Sequence, residues 1–303
     1  DGPWRAAVEA GVNVLSRRVI RPDGGTRHLL APSGEPLDDR RDLYDLAFVL
    51  LALSEAARAL DGRKDLIAAA ENLLGWLERH WTHPAGGFRE GDVHATPPRR
   101  QNPHMHLFEA LLSLYETTRD PGHLQRASAL GELFRDKLFD RGQGALPEEF
   151  DDVWRPLPGA RIEPGHMFEW SWLLHRWRAL GGAGADDISE TLRTNAETRG
   201  VDAHGALFAS IPADGETARL WQHTERLKAH LARVETSNDP SAIEAAVRAY
   251  DALVSYLDTP TPGLWRDRRG ADGAFIEEPA PASTFYHIIF AFSELIRVAG
   301  LRG

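Results

Sequence analysis

The 303-residue sequence contains no cysteine. That absence excludes a disulfide framework, thiolate catalysis and a cysteine-ligated metal. It is also short of positive charge: 35 Lys and Arg stand against 45 Asp and Glu, a formal net charge of -10. With no basic run to offset that balance, a nucleic acid or an anionic membrane surface is not the expected partner. Long apolar runs are missing too. The longest, around Leu46 to Leu53, is far below the roughly 20 residues a membrane helix needs, and no secretory segment opens the chain. No GxGxxG or P-loop stands in helical context, so neither NAD nor a nucleotide is expected as a cofactor. What remains is a well-cored chain with 42% hydrophobic and 26% charged residues, inside the globular range, and a small neutral substrate stays open.

The chain has an internal period. Glycine turns recur at Gly25, Gly86, Gly144, Gly205 and Gly263, with spacings of 61, 58, 61 and 58 residues. Each leads into similar text (GGFRE, GALPEEF, GALFASIPADG, GLWRDRRGADG) that reads as a short strand or hairpin. Between turns lie two helical patterns. Leu107, Leu111, Leu114 and Tyr115 mark one, and His123 to Leu138 the next, at three- and four-residue steps. Asn102-Pro103 and Glu163-Pro164-Gly165 suit helix starts. Helices after the turns (LYDLAFVLLAL, HMHLFEALLSLY, GHMFEWSWLL, TFYHIIFAF) are apolar on most sides and so belong inside, whereas those before the turns are amphipathic. The reading is an all-α protein, a single domain over residues 1–303, with an inner ring of helices wrapped by an outer one: an α/α toroid or barrel.

In such a ring the starts of the inner helices face one mouth. Counting from each turn glycine places Tyr44, His106, His166, Glu225 and His287 at nearly equivalent positions. Asn102 lies one turn before His106, Glu169 and Trp170 follow His166 at i+3 and i+4, and Trp221 precedes Glu225 by four. Tryptophan, asparagine, glutamate and histidine around a cavity suit a sugar, whose CH face stacks on a ring while its hydroxyls take directed hydrogen bonds.

Plainer readings stand beside these. His28, His80, His83, His94, His123, His175, His204, His223 and His230 read as ordinary core or surface histidines. Glu169 could cap a helix or pair with Arg161, and Trp170, Trp172 and Trp177 could be core aromatics. His104, His106 and Glu109 could be read as metal ligands, but no HExxH or comparable pattern accompanies them, and no metal is expected. Glu148-Glu149 with Asp151-Asp152 reads as a solvated turn, or as the carboxylates of an (α/α)-barrel glycosidase.

The five motifs LYDLAFVLLAL (43–53), RRQNPHMHLFEALL (99–112), EPGHMFEWSWLL (163–174), RLWQHTERLKA (219–229) and ASTFYHIIFAFSEL (282–295) together resemble the N-acylglucosamine 2-epimerase superfamily. NPHMH and PGHxFEW are closer to its mannose isomerase-like branch. The resemblance implies an (α/α)6 barrel and a cytoplasmic, metal-independent sugar isomerase or epimerase acting on a monosaccharide such as mannose or fructose. It also implies an acid/base pair at His166 and His287, with Asn102, His106, Glu169, Trp221 and Glu225 binding or orienting the sugar; Tyr44, Arg161 and Trp170 complete the candidate set. Alternatives are a 2-epimerase of the same superfamily, an (α/α)-barrel hydrolase, and a non-catalytic helical-repeat scaffold.

The superfamily barrel has six hairpins, whereas the period here finds about five. The absent hairpin would be the first, which in the superfamily carries an arginine near the sugar oxygens. A gap of one hairpin would expose apolar inner helices. The expectation is therefore either that roughly another 60 to 100 residues precede Asp1 in the native chain, by the repeat-unit argument, or that another subunit, as in a homodimer, covers the gap.

Overall fold

In the computed structural model the glycine turns become the joints between paired helices. The structure describes residues 2–213, 219–237, 239–270 and 272–302; Asp214, Gly215 and Ala271, within the third- and fourth-quoted turn motifs, lie outside them. The five turn glycines all have positive φ, from 60° at Gly144 to 94° at Gly86, a region costly for residues with a Cβ. Four of the turns are closed by a single antiparallel bridge: Ile20 with Thr26, Thr82 with Phe88, Asp140 with Ala145, and Val201 with Leu207.

Among the described residues there are ten α-helices: α1 (Pro3–Val14), α2 (Leu43–Ala59), α3 (Lys64–Trp81), α4 (Asn102–Thr118), α5 (Pro121–Leu133), α6 (Pro164–Ala179), α7 (Asp186–Gly200), α8 (Leu220–Thr236), α9 (Pro240–Leu257) and α10 (Thr284–Arg302). Local chemistry sets their ends. The side chains of Asp42, Asp120 and Asp239 accept the backbone N–H of Tyr44, Gly122 and Ser241, capping otherwise orphaned donors, and proline follows Asp120 and Asp239 at the first helical position. Two short antiparallel pairs, β1 (Leu29–Leu30) with β2 (Pro36–Asp38) and β3 (Arg99–Arg100) with β4 (Glu149–Phe150), decorate the connections.

The contacts group the chain into two compact units. The first comprises Asp1–Leu138, Glu148–Pro158 and Leu180–Gly182; the second comprises Phe139–Pro147, Gly159–Ala179 and Ala183–Gly303. In the first unit α2 packs on α4, with α3 and α5 outside them. Every residue of α4 from Pro103 to Leu114 is buried, as expected for a helix apolar on all sides. The amphipathic α3 buries only a stripe, including Leu66, Ala70, Leu73, Leu74 and Leu77. In the second unit α6 packs on α7 and α8, and α8 also packs on α9 and α10.

One expectation holds only in part here. The apolar text of α10 was read as belonging wholly inside, yet Phe285 is 52%, Ile289 46% and Ile296 72% exposed. These residues share one helical face, and within its unit α10 packs on α8 with its other side.

Candidate active site

The second unit holds the densest group of candidate residues, and a loop aspartate sets its frame. Asp267, 2% exposed, accepts the Arg219 guanidinium at 2.7 Å and the Thr284 hydroxyl at 3.3 Å, while its carbonyl accepts the N–H of Leu220 at 2.8 Å. Arg219 and Leu220 open α8 and Thr284 opens α10, so one side chain ties together the starts of two helices far apart in sequence. That places Glu225, in the second turn of α8, against His287, in the first turn of α10. His287 Nδ1–H donates to Glu225 Oε1 at 2.8 Å, which leaves Nε2 as the nitrogen with a lone pair to offer.

Glu225 is fully buried. Burial pushes its carboxyl upward, but the Lys228 cation and the His287 hydrogen bond outweigh it and hold the group below the usual carboxylate range. The Lys228 ammonium lies 2.6 Å from Glu225 Oε2. Trp221, one turn earlier on α8, is the partly exposed ring of the group. Its centroid lies 4.9 Å from that of His166 and 5.4 Å from that of His287, so both acid/base candidates flank the same indole. A close approach makes this possible: a Cβ on Gly165, at the start of α6, would come within 2.9 Å of the Trp221 ring and 2.5 Å of Gln222. His166 Nδ1 stands 3.9 Å from Glu163 Oε2, and Arg161 Nε, on an exposed side chain, 3.7 Å from Glu163 Oε1.

Glu169, Glu225 and His287 each bring a donor atom within 4.8 Å of the others, close enough to hold a cation. Both Glu225 oxygens are already engaged, however, by the imidazole N–H and the ammonium, so the group works as a hydrogen-bonded charge cluster. Glu169 and Trp170 are fully buried on α6. A ring with no exposed face has none to offer a sugar, so Trp170 is placed in the core, a correction to its reading as a sugar contact.

Three candidates lie together in the first unit. His106 packs edge-on to Tyr44 at 5.0 Å and tilted on Phe48 at 4.5 Å, with Nδ1 3.6 Å from Glu109 Oε2. Asn102 is the first residue of the same helix and partly exposed. His104, two residues from His106, has a different task. Its Nδ1–H donates to the Arg100 carbonyl at 3.1 Å and its Nε2 accepts the Phe88 N–H at 3.0 Å, fastening the second glycine turn; burial pushes its pKa down to about 4.

Sequence reading missed Lys228, Asp267 and the close approach at Gly165. The ERLK spacing was the available signal for the first, since residues at i and i+3 meet on a helix; the partners of Asp267 are too distant in sequence to leave one.

Two imidazoles packed on one indole, with a carboxylate held to one of them, have the chemistry to move a proton on a sugar-sized molecule. The sequence pattern of the N-acylglucosamine 2-epimerase (GlcNAc 2-epimerase) family matches residues 1–291. A mannose-6-phosphate isomerase of Rhizobium meliloti (strain 1021) is 40% identical over 97% of this chain and 80% of its own length. Among solved structures, a D-mannose isomerase superposes with a TM-score of 0.84 at 23% identity, covering 97% of this chain and 81% of its own. The cellobiose 2-epimerase of Bacillus thermoamylovorans B4167 gives 0.86 at 22% identity, covering 95% and 80%. The chain belongs to the N-acylglucosamine 2-epimerase family, and is an enzyme of its sugar isomerase and epimerase class. The likeness to the two structures shows the fold class, the all-α, (α/α)6-type barrel of those enzymes. No described helix is long and apolar enough to cross a membrane.

Proposed function

We propose that this enzyme interconverts an aldose and its ketose, D-mannose and D-fructose or a close relative, by moving a proton between C2 and C1 through a cis-enediolate. The observation that carries the reading is His287, its Nδ1–H held by a buried carboxylate and its ring beside the partly exposed Trp221. An imidazole so fixed presents Nε2 as a base, and imidazole is the side chain most often used to take and return a proton near neutrality. His287 abstracts the C2 proton and delivers it to C1. His166, across the indole, relays protons between O1 and O2 and assists ring opening. Trp221 supplies the stacking face, Glu169 and Glu225 orient the imidazoles, and Arg161 provides a cation beside the start of α6. Asn102 and His106 of the NPHMH motif, with Tyr44 packed on His106, are assigned to sugar recognition.

The same machinery returning the proton to C2 from the opposite side would make a 2-epimerase, the activity named for one of the structural relatives. The test is NMR of D-mannose, and separately of mannose 6-phosphate, incubated with the enzyme in D2O containing EDTA. Ketose, with any deuterium on its C1, supports the isomerase, and the C2 epimer alone, deuterated at C2, supports the epimerase. Neither ketose, nor epimer, nor exchange with either sugar overturns both readings. We further infer a metal-free, cytoplasmic enzyme formed by residues 1–303 as one catalytic domain, binding neither nucleic acid nor membrane. A homodimer contact over the exposed face of α10 is the inferred assembly, which sedimentation would test.

A further inference from the structure

The Glu225 carboxylate has two arms, and only one reaches the acid/base histidine. The other ends on Lys228, a lysine with no exposed surface, placed one turn along α8. Its Nζ lies 2.6 Å from Glu225 Oε2 and 3.8 Å from the centroid of the Trp172 ring, with the Phe290 ring at 6.0 Å. Trp172 is itself fixed, its Nε1–H donating to Glu294 Oε1 at 3.3 Å. Taking an ammonium out of water is costly, and nothing in the reaction proposed above uses this one directly.

We infer that Lys228 is a positioning residue: its ammonium is the counter-charge of Glu225, and it thereby keeps the His287 imidazole neutral, with Nδ1–H on Oε1 and Nε2 free to take a proton from the substrate. The inference rests on the reading of His287 as the acid/base group. The titratable groups around that imidazole are Glu225 from α8, with Lys228 behind it, Glu169 from α6 and Tyr286 on α10 itself, and His166 packs on the same Trp221 ring. Glu169 and Glu225 would both draw a proton onto the ring. The Lys228 cation opposes them at the carboxylate the ring touches. Without it, the buried Glu225 charge would be balanced by an imidazolium, and an imidazolium has no lone pair with which to abstract the C2 proton.

The test compares Lys228→Met and Lys228→Gln, which remove the charge, with Lys228→Arg, which keeps it. Imidazole protonation is read from 1H–15N spectra of the sugar-free enzyme, with the His287 signals assigned through His287→Gln. In the uncharged variants the His287 titration midpoint and the acid limb of kcat should both move up by at least about one pH unit, equivalent to a tenfold change. KM should change by less than about threefold, because a rise in KM with kcat unchanged would mark lost uniform binding instead. Lys228→Arg should restore the midpoint at least in part. An unmoved midpoint in a folded uncharged variant overturns the inference. Should neither uncharged variant fold, the wild-type spectrum decides: an imidazolium at His287 at pH 7, or a proton on Nε2 instead of Nδ1, overturns it equally. These spectra need no sugar, so an enzyme inactive on mannose would remove the proposed reaction while leaving the titration of His287 as a separate result.

Discussion

Helices α8 and α10 pack against each other and invert each other's sequence logic. The text of α8, LWQHTERLKAHLARVET, is crowded with charge, yet residues Gln222 to Ala232 are all buried. The text of α10 opens with TFYHIIFAF and leaves Phe285, Ile289 and Ile296 in contact with solvent. The charges of α8 tolerate burial because each finds a partner: Glu225 with Lys228 and His287, Arg226 and His230 with Glu197 at 2.9 and 3.0 Å. Paired buried charges cost far less than lone ones. Hydropathy states what a side chain prefers; position in the fold decides what it gets, and here the charged helix is buried around Glu225 and Lys228 while the apolar one carries His287, the proposed acid/base group.

Removing what α10 contributes should have the largest effect. His287→Gln is expected to lower turnover at least about a hundredfold, with His166→Ala doing the same, at the lower end of general acid–base contributions; retention of near-normal sugar turnover by either would sink the assignment. On α8, Glu225→Gln keeps the shape and strands the Lys228 charge. Its expected cost is on the order of 3–5 kcal/mol in urea unfolding, as for breaking a buried pair, together with a loss of turnover. A stability equal to wild type would mean that the α8 charges are not balanced as described.

Acid should act on a buried histidine of the first unit. In the folded protein the His104 pKa is pushed from 6.5 to about 4, so as pH falls between those values the unfolded chain takes up a proton that the folded chain refuses. Stability contributed by neutral His104 is therefore present above about 6.5 and lost on the way down to about 4, on the order of 3 kcal/mol in all. His104→Gln, which can still donate to Arg100 and accept from Phe88, should flatten the fall in melting temperature between pH 7 and 4. An unchanged slope would remove His104 from the account. The smallest effect on stability belongs to the exposed face of α10: Ile296→Lys should change the unfolding free energy of the monomer by no more than about 0.5 kcal/mol while weakening the inferred homodimer in sedimentation, and an unchanged assembly would remove that face from the contact.

Much of this was legible in the residues. The glycine period marked the joints, Asn102-Pro103 and Pro164 marked the starts of α4 and α6, and matched positions after the turns singled out His166 and His287. These signals are local or periodic, and local rules of φ, capping and spacing govern them. Lys228 was not legible as a partner of the site, because a lysine three residues after a glutamate usually reads as a solvated helix pair. Asp267 was not legible at all, since its partners Arg219 and Thr284 lie 48 and 17 residues away. Trp170 read as a ligand because it shares a face with Glu169 and His166, and only packing revealed that its ring has no open side.

The sequence by itself determined the helices, their pairing, the turns between them and the residue types able to move a proton, because hydrogen-bond periodicity and side-chain chemistry are properties of short stretches of chain. Only the tertiary structure decided which imidazole nitrogen is held by a carboxylate, that a lysine beside that carboxylate has no water, and which apolar face stays exposed. Those outcomes depend on what packs against each side chain from elsewhere in the chain, and the free energy of a charge or a methyl group follows its surroundings more than its identity.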